Sequence, residues 1–460
     1  MKLVKSLLLG SAAGIVAVGS AVAADLPVRK AAPVDYVQVC SAFGTGYFYI
    51  PGTDTCLRVG GFVRYESRWT DAGWSVDGNT YDNTVPADAD TLSTRINRDG
   101  GRDTSQFNQF ARGSIQLDAR TATEFGTLRS YAEIFVDTGS TSLDSGFIEF
   151  AGLTLGKRGT YFRGFGSPII AGGQWMAINS GPLAAYTADL GPVSLTISAE
   201  SDRDIFEDHD GVTIDGDVVG YGFDNASSGM PDFVAAMRYS DGGFTAHLAG
   251  ALTEIRSGFA PAGAVAAGGG SIPGTTYGYA LTAGVSFEAL PTTTFTLQGA
   301  YSVGAHSYLG LGQADRRFEL PVSDAYLTDT GSVKKTEGWV LNASVNHAWT
   351  PQIAQILYGS YGEYKAPAAL RNGLIDPADI GGGLNGAAAQ YNNMPNSFST
   401  WSLGTRVDWT PVAGLTVSGD VNYVETAAKN RVFTNVVGDT VASTKKDDRW
   451  TATLRVQRSF

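Results

Sequence analysis

The sequence predicts an all-β chain folded as a transmembrane antiparallel β-barrel of 16 strands. Apolar and polar residues alternate with a period of two in segment after segment, which sorts side chains onto the two faces of a strand. The connections alternate as well, short and turn-like on one side and mostly long on the other, as in an outer-membrane barrel. Beyond the N-terminus there is no run of 18 or more apolar residues, so membrane-crossing helices are not expected. The composition agrees: of 460 residues, 58 are Gly, 11% are aromatic and only 17% are charged.

Taken in order, residues 1–23 read as a Sec signal peptide. Lys2 and Lys5 form the charged start, 7–18 the apolar segment and Ala21-Val22-Ala23 a small-residue cleavage site. Cleavage there removes two lysines and no acid, taking the formal charge from −12 to −14. That acidity argues against a nucleic-acid partner. Residues 24–56 read as a periplasmic N-terminal tail, mobile over 24–39, where Pro27, Pro33 and Ala31-Ala32 fall without a sustained period. Cys40 and Cys56 are expected to form a disulfide around a small loop, worth roughly 3 kcal/mol in chain-entropy terms. A metal pair is the rival reading, with no His or further Cys nearby to complete it.

The barrel occupies 57–460. Its first strand, 57–69, sets Leu57, Val59, Gly61, Val63, Tyr65 and Trp69 against Arg58, Gly60, Arg64, Glu66 and Arg68. Alternation returns at 106–120, 127–137, 145–151, 153–158, 183–190, 193–201, 232–240, 244–255, 275–289, 294–305, 336–350, 353–365, 398–410, 414–426 and 448–460. In the last of these, Trp450, Ala452, Leu454, Val456 and Phe460 oppose Arg449, Thr451, Thr453, Arg455, Gln457 and Ser459. An aromatic at each end of that apolar face marks the two membrane interfaces. Pairing with 57–69 would leave no strand edge exposed in lipid. Short connections fall at 121–126, 191–192, 241–243, 290–293, 351–352 and 411–413. Long ones fall at 70–105, 159–182, 202–231, 256–274, 306–335, 366–397 and 427–447. The remaining long-side connection, 138–144, is short.

The segment Gly46-Tyr47-Phe48-Tyr49-Ile50-Pro51-Gly52 followed by Cys56-Leu57-Arg58-Val59-Gly60-Gly61-Phe62-Val63-Arg64-Tyr65-Glu66 closely resembles the start of the general porins of alphaproteobacteria, the Brucella and rhizobial type. Gln457-Arg458-Ser459-Phe460 resembles their ending, and Leu7-Leu8-Leu9-Gly10-Ser11-Ala12-Ala13 is similar to their signal segment. The match is specific at both ends and architectural between them. The resemblance implies a homotrimeric outer-membrane channel for passive diffusion of small hydrophilic solutes and ions, with the third long loop folded into the lumen. It implies that Phe460 is part of the signal read by the barrel-assembly machinery. It also implies a link of Ala24-Asp25 to peptidoglycan; the plainer reading, that these are simply the first residues after cleavage, stands beside it.

A diffusion pore needs charges around its constriction to set the field felt by ions. Alternation puts a basic row on the lumenal face: Arg58, Arg64, Arg68, Arg112, Arg120, Arg129 and Arg455, interspersed with Glu66, Asp118, Glu133 and Asp137. The third long-side connection holds no acid; it brings Arg158, Tyr161, Phe162, Arg163, Phe165 and Trp175 to the expected constriction. These residues favour anions locally, whereas the overall acidity attracts cations to the mouth. The aromatic group is the feature that would suit a sugar-specific channel, and an envelope-tethering barrel is a third reading. The acidic stretch 203–217 reads as a solvated outer loop or a divalent bridge to lipopolysaccharide, and lacks the spacing of a calcium loop. No cofactor is expected. With four histidines and no nucleophile elbow or zinc-protease motif, neither is an enzyme.

Overall fold

Isolated hairpins are marginal in water, so strands of this kind gain stability by closing into one sheet. The computed structural model describes residues 38–73, 106–176, 180–201, 212–214, 217–219, 229–256, 274–311, 324–327, 332–367, 397–434 and 440–460. Among these, 16 strands form the barrel: β1 Cys56–Gly73, β2 Gln106–Thr123, β3 Gly126–Asp137, β4 Ser140–Phe150, β5 Leu153–Gly159, β6 Ser180–Leu190, β7 Val193–Glu200 and β8 Asp232–Asp241. They continue as β9 Phe244–Ile255, β10 Thr276–Leu290, β11 Thr293–Val303, β12 Glu337–Thr350, β13 Ile353–Lys365, β14 Ser397–Val412, β15 Leu415–Thr434 and β16 Thr440–Ser459. Each strand pairs antiparallel with its neighbours in sequence, and β1 also pairs with β16, from Phe62↔Ser459 to Gly73↔Asp448. The ring is closed, so every strand in it has two partners.

The seam between β1 and β16 is tight. The Phe460 amide donates to the Gly61 carbonyl at 3.1 Å, and the Gly61 amide donates to the Phe460 carbonyl at 3.2 Å. Gly61 has φ +153°, and a Cβ there would overlap the Ser114 carbonyl of β2, so the close approach requires glycine.

Outward faces are apolar and open: Ile197 is 66% exposed, Val63 and Leu403 60% each. A continuous apolar surface of this kind is untenable in water and is the lipid-facing band of a membrane barrel. Two aromatic girdles bound it. At one end Tyr301 pairs with Trp339, Trp339 meets Tyr361 at 5.3 Å, Tyr361 pairs with Trp401, and Tyr423 sits 5.2 Å from Trp401 and 5.0 Å from Trp450. At the other, Phe244 pairs with Phe287, which stacks on Phe295 at 5.5 Å. No helix among the described residues is long and apolar enough to cross a membrane.

Two connections differ from the sequence expectation. The 138–144 connection shrinks to the turn Thr138-Gly139, because Asp137 pairs directly with Ser140 and a bulge at Glu133/Ile134 absorbs the extra residue. At 427–447 the strands run on instead of ending, β15 to Thr434 and β16 from Thr440. Cross-strand pairing there overrides a sequence too polar for a membrane strand, which places this extension beyond the apolar band. A short 3-10 turn at Ser41–Phe43 lies at the short-turn end; on the long-loop side another falls at His306–Tyr308, and Ala325–Leu327 pairs with Val333–Lys335 in the connection from β11 to β12.

Candidate functional site

The lumenal face of β1–β5 and β16 carries a ladder of guanidiniums. Period-two alternation brings Arg58, Arg64 and Arg68 of β1, Arg112 and Arg120 of β2, Arg129 of β3 and Arg455 of β16 to the same surface. Arg158, expected in the loop, instead belongs to the end of β5 and joins this wall. Carboxylates sit among them. Asp118, 1% exposed, accepts from Nε and Nη2 of Arg120 (3.0 and 2.9 Å) and of Arg129 (3.0 and 3.1 Å), with Arg58 at 3.8 Å. Glu66, fully buried, is held by Arg68 at 2.8 Å and by Arg455 at 2.8 Å. Arg112 forms a bidentate pair with Asp137 (2.6 and 2.8 Å). Glu133 accepts from Ser114 and Gln116 rather than from an arginine. A buried charge is tolerated only when paired in this way.

Alternation alone does not reveal how the wall is backed. The Arg64 guanidinium lies 4.5 Å from the Phe62 ring, Arg112 4.4 Å from Phe135, and Arg129 and Arg158 flank Phe147 at 5.3 and 5.0 Å. Such stacking holds a planar cation in a fixed orientation. Glu149, which bridges Arg129 and Arg158 at 2.8 and 2.9 Å, was equally absent from the expected set. It lies on the inner face of β4, so the same period could have found it.

The loop after β5, described over 160–176, folds inward and is pinned to the opposite side of the barrel. Its carbonyls face side chains on several strands: Phe162 faces His247 Nε2 of β9 at 3.0 Å, Gly164 accepts from Arg238 of β8 at 2.9 Å, and Pro168 from Arg406 of β14 at 2.7 Å. Ala171 accepts from Asn422 of β15 at 2.7 Å, Gly172 from Arg449 of β16 at 2.8 Å and Gln174 from Ser402 of β14 at 3.1 Å. Gly172 has φ +73° and lies so close to Thr451 that a Cβ would clash with it. Among the described residues, the loop's hydrogen bonds and ring contacts to strands reach β5, β7–β10 and β13–β16 and leave β1–β4 to face the lumen.

The residues expected to form the constriction divide accordingly. Phe162 and Trp175 are buried, Phe162 against Tyr308 at 4.7 Å and Trp175 edge-on to Tyr358 at 6.5 Å. Tyr161 lies under Arg158 at 5.0 Å and Phe165 under Arg238 at 5.6 Å. Arg163 donates from Nε to the Phe165 carbonyl at 2.8 Å, and burial lowers its pKa from the usual guanidinium value. Phe162 and Trp175 therefore serve as packing, Tyr161 and Phe165 stay partly exposed, and Arg163 braces the loop's own backbone through Nε.

At the short-turn end, the Cys40–Cys56 disulfide closes a loop whose Tyr47 lies 5.2 Å from both Arg58 and Arg120. Burial, with Asp118 beside it, raises the Tyr47 phenol pKa. This ordered cap replaces the end of the expected mobile tail: the Tyr49 amide donates to the Gln38 carbonyl at 2.8 Å. The signal segment, Ala24, Asp25 and most of the acidic stretch 203–217 lie outside the described residues.

Comparison with known proteins agrees with this geometry. Over 272 residues the chain is 32% identical to the porin Omp2b of Brucella suis, an alignment covering 52% of this chain and 63% of that protein. Over 257 residues it is 30% identical to the porin Omp2b of Brucella abortus, with the same coverage. The match thus spans under two thirds of the length of these curated relatives. Among solved structures, the outer membrane channel DcaP of Acinetobacter baumannii superposes with a TM-score of 0.59 at 15% identity, over 90% of this chain and 99% of that one, which speaks for the fold. A family model described as the porin subfamily matches residues 25–453, and with that match across nearly the whole chain the protein belongs to the porin subfamily.

Proposed function

We propose that the protein forms a water-filled channel in the bacterial outer membrane through which small hydrophilic solutes and ions diffuse passively. The observation that carries this reading is the division of the lumen. One inner wall bears stacked, partly solvated arginines, and the inward loop is held against the other. A polar passage bounded by fixed charges is what ion conduction requires. The apolar band and its two aromatic girdles support the membrane setting. Burial of Phe162 and Trp175 in loop packing halves the aromatic group that a sugar-specific channel would use.

Family membership supports a homotrimer, its contacts supplied mainly by outward barrel faces, since the turn at Thr138-Gly139 is too short to latch a neighbour. Lipopolysaccharide around the apolar band, the barrel-assembly machinery acting on Phe460 and peptidoglycan at Ala24-Asp25 belong to the same proposal. Planar-bilayer recording of the folded protein tests the central point. Ohmic conductance arriving in groups of three steps is expected; folded protein without conductance would overturn the channel reading.

A further inference from the structure

The arginines of the wall differ in how much of their hydrogen-bonding capacity is used. Arg112, Arg120, Arg129 and Arg455 each direct two or more N–H groups at carboxylates, and Arg68 and Arg158 each hold one at 2.8 and 2.9 Å. Arg64 is different. Its Nε donates to Gln457 Oε1 at 2.9 Å, and neither terminal nitrogen has a carboxylate within ion-pair distance among the described residues. The nearby acids, Glu66 and Asp137, are already engaged by Arg68 and Arg455 and by Arg112.

The position of Arg64 is equally unusual. It pairs directly across the sheet with Arg112 and, two residues along β16 from its own partner Gln457, meets Arg455 on the diagonal. Like charges directly opposite one another destabilise a sheet. The Phe62 ring nonetheless lies 4.5 Å from the Arg64 guanidinium, and neither terminal NH2 group has a hydrogen-bond partner among the described residues. A guanidinium fork of this kind matches the geometry of an oxyanion.

We propose that Arg64, with Arg112 and Arg455 beside it, forms a saturable site for small oxyanions (phosphates and carboxylates) on the channel wall. The site rests on the reading of this lumen as a conducting passage. A bound oxyanion takes both free edges of Arg64 and relieves the repulsion between the three cations. Chloride, a single spherical acceptor, cannot span the fork.

The test is conductance of the reconstituted full-length protein in KCl titrated with inorganic phosphate at constant ionic strength. Each variant's own phosphate-free conductance serves as its reference. The wild type should show a saturable fall in current. Arg64→Gln should weaken that block about tenfold or more, the loss expected for a hydrogen-bonded charge pair. Arg64→Lys, which keeps the charge without the fork, should fall between the two and serves if the glutamine variant does not fold. Arg458→Gln, on the exposed side of β16 with its guanidinium on the Ala413 carbonyl, should block like the wild type. Conducting channels with no saturable phosphate block, or equal block in wild type and Arg64 variants, would overturn the site and leave the channel standing. Folded protein that does not conduct would overturn both.

Discussion

Glu66 shows how single residues set the character of the wall. A fully buried carboxylate survives there because Arg68 and Arg455 hold it from two strands, at 2.8 Å each. Replacing Arg455 with Ala leaves Arg68 in place, so the barrel should still fold while the wall loses one positive charge. Reversal potentials in a KCl gradient should shift towards cations; a folded variant with an unchanged potential would show that this wall does not border the conduction path. His306 illustrates a different constraint, outside the strands. Its ring is buried against Tyr364 at 4.9 Å with neither nitrogen hydrogen-bonded among the described residues, and burial lowers its pKa to about 4, with Asp324 opposing the shift. Because the folded value lies below the unfolded one, the stabilisation is complete above about pH 6.5 and fades as pH falls towards 4, by on the order of 3 kcal/mol at most. Protection factors over 304–311, corrected for the slower intrinsic exchange in acid, should therefore fall on acidification in the wild type and lose that pH dependence in His306→Phe. An identical acid response in both would exclude His306 as its source.

At the scale of elements, the inward loop is held both by hydrogen bonds from the wall and by packing of Phe162, Trp175 and Met176 into the barrel's buried cluster. Asn422→Leu and Arg406→Gln together remove the donors to Ala171 and Pro168. Each such bond contributes about 1–3 kcal/mol, and the doubly substituted protein should show faster exchange over 160–176 and a noisier open channel. Quiet, unchanged traces would place the loop's stability elsewhere. The contrast between strands and loop also explains what the sequence could reveal. Period-two alternation is local, so the strands and their inner faces were readable from side-chain order: Arg58, Arg112 and Arg455 fall where it put them. The loop's carbonyl attachments connect residues 74 to 277 positions apart, from Gly164 and Arg238 to Gly172 and Arg449, and no local pattern encodes them. That is why Arg163 and Trp175 read as channel-facing although one braces the loop and the other is buried beneath it. The short connection at 138–144 read as a loop for a related reason. Ser140 and Ser142 are polar enough for a loop, yet pairing with β3 extends β4 through them.

For the whole molecule, closure is the condition on which everything else depends, because an open strand edge in lipid would leave its backbone groups without partners. The outer faces of all strands can be apolar only once β1 and β16 have met. The end of that seam is held by the reciprocal bonds between Gly61 and Phe460, while the Phe460 ring, 68% exposed, lies at the membrane boundary opposite the Trp450 girdle. Two features are therefore superposed on Phe460: its backbone completes the ring, and its side chain stands exposed at the boundary. Two variants separate them. Deleting Phe460 removes both and strands the Gly61 amide and carbonyl, each costing several kcal/mol where water is excluded. Phe460→Leu keeps the backbone bonds and changes only the ring. Heat-modifiable mobility of the barrel, measured after refolding in detergent and after insertion in cells, then gives two readings. If backbone closure dominates, the deletion should fail in both settings and the leucine variant in neither. If the ring acts as a recognition signal, the leucine variant should refold in detergent but insert poorly in cells. Wild-type folding of the deletion in both settings would show that β1 and β16 close without this last pair.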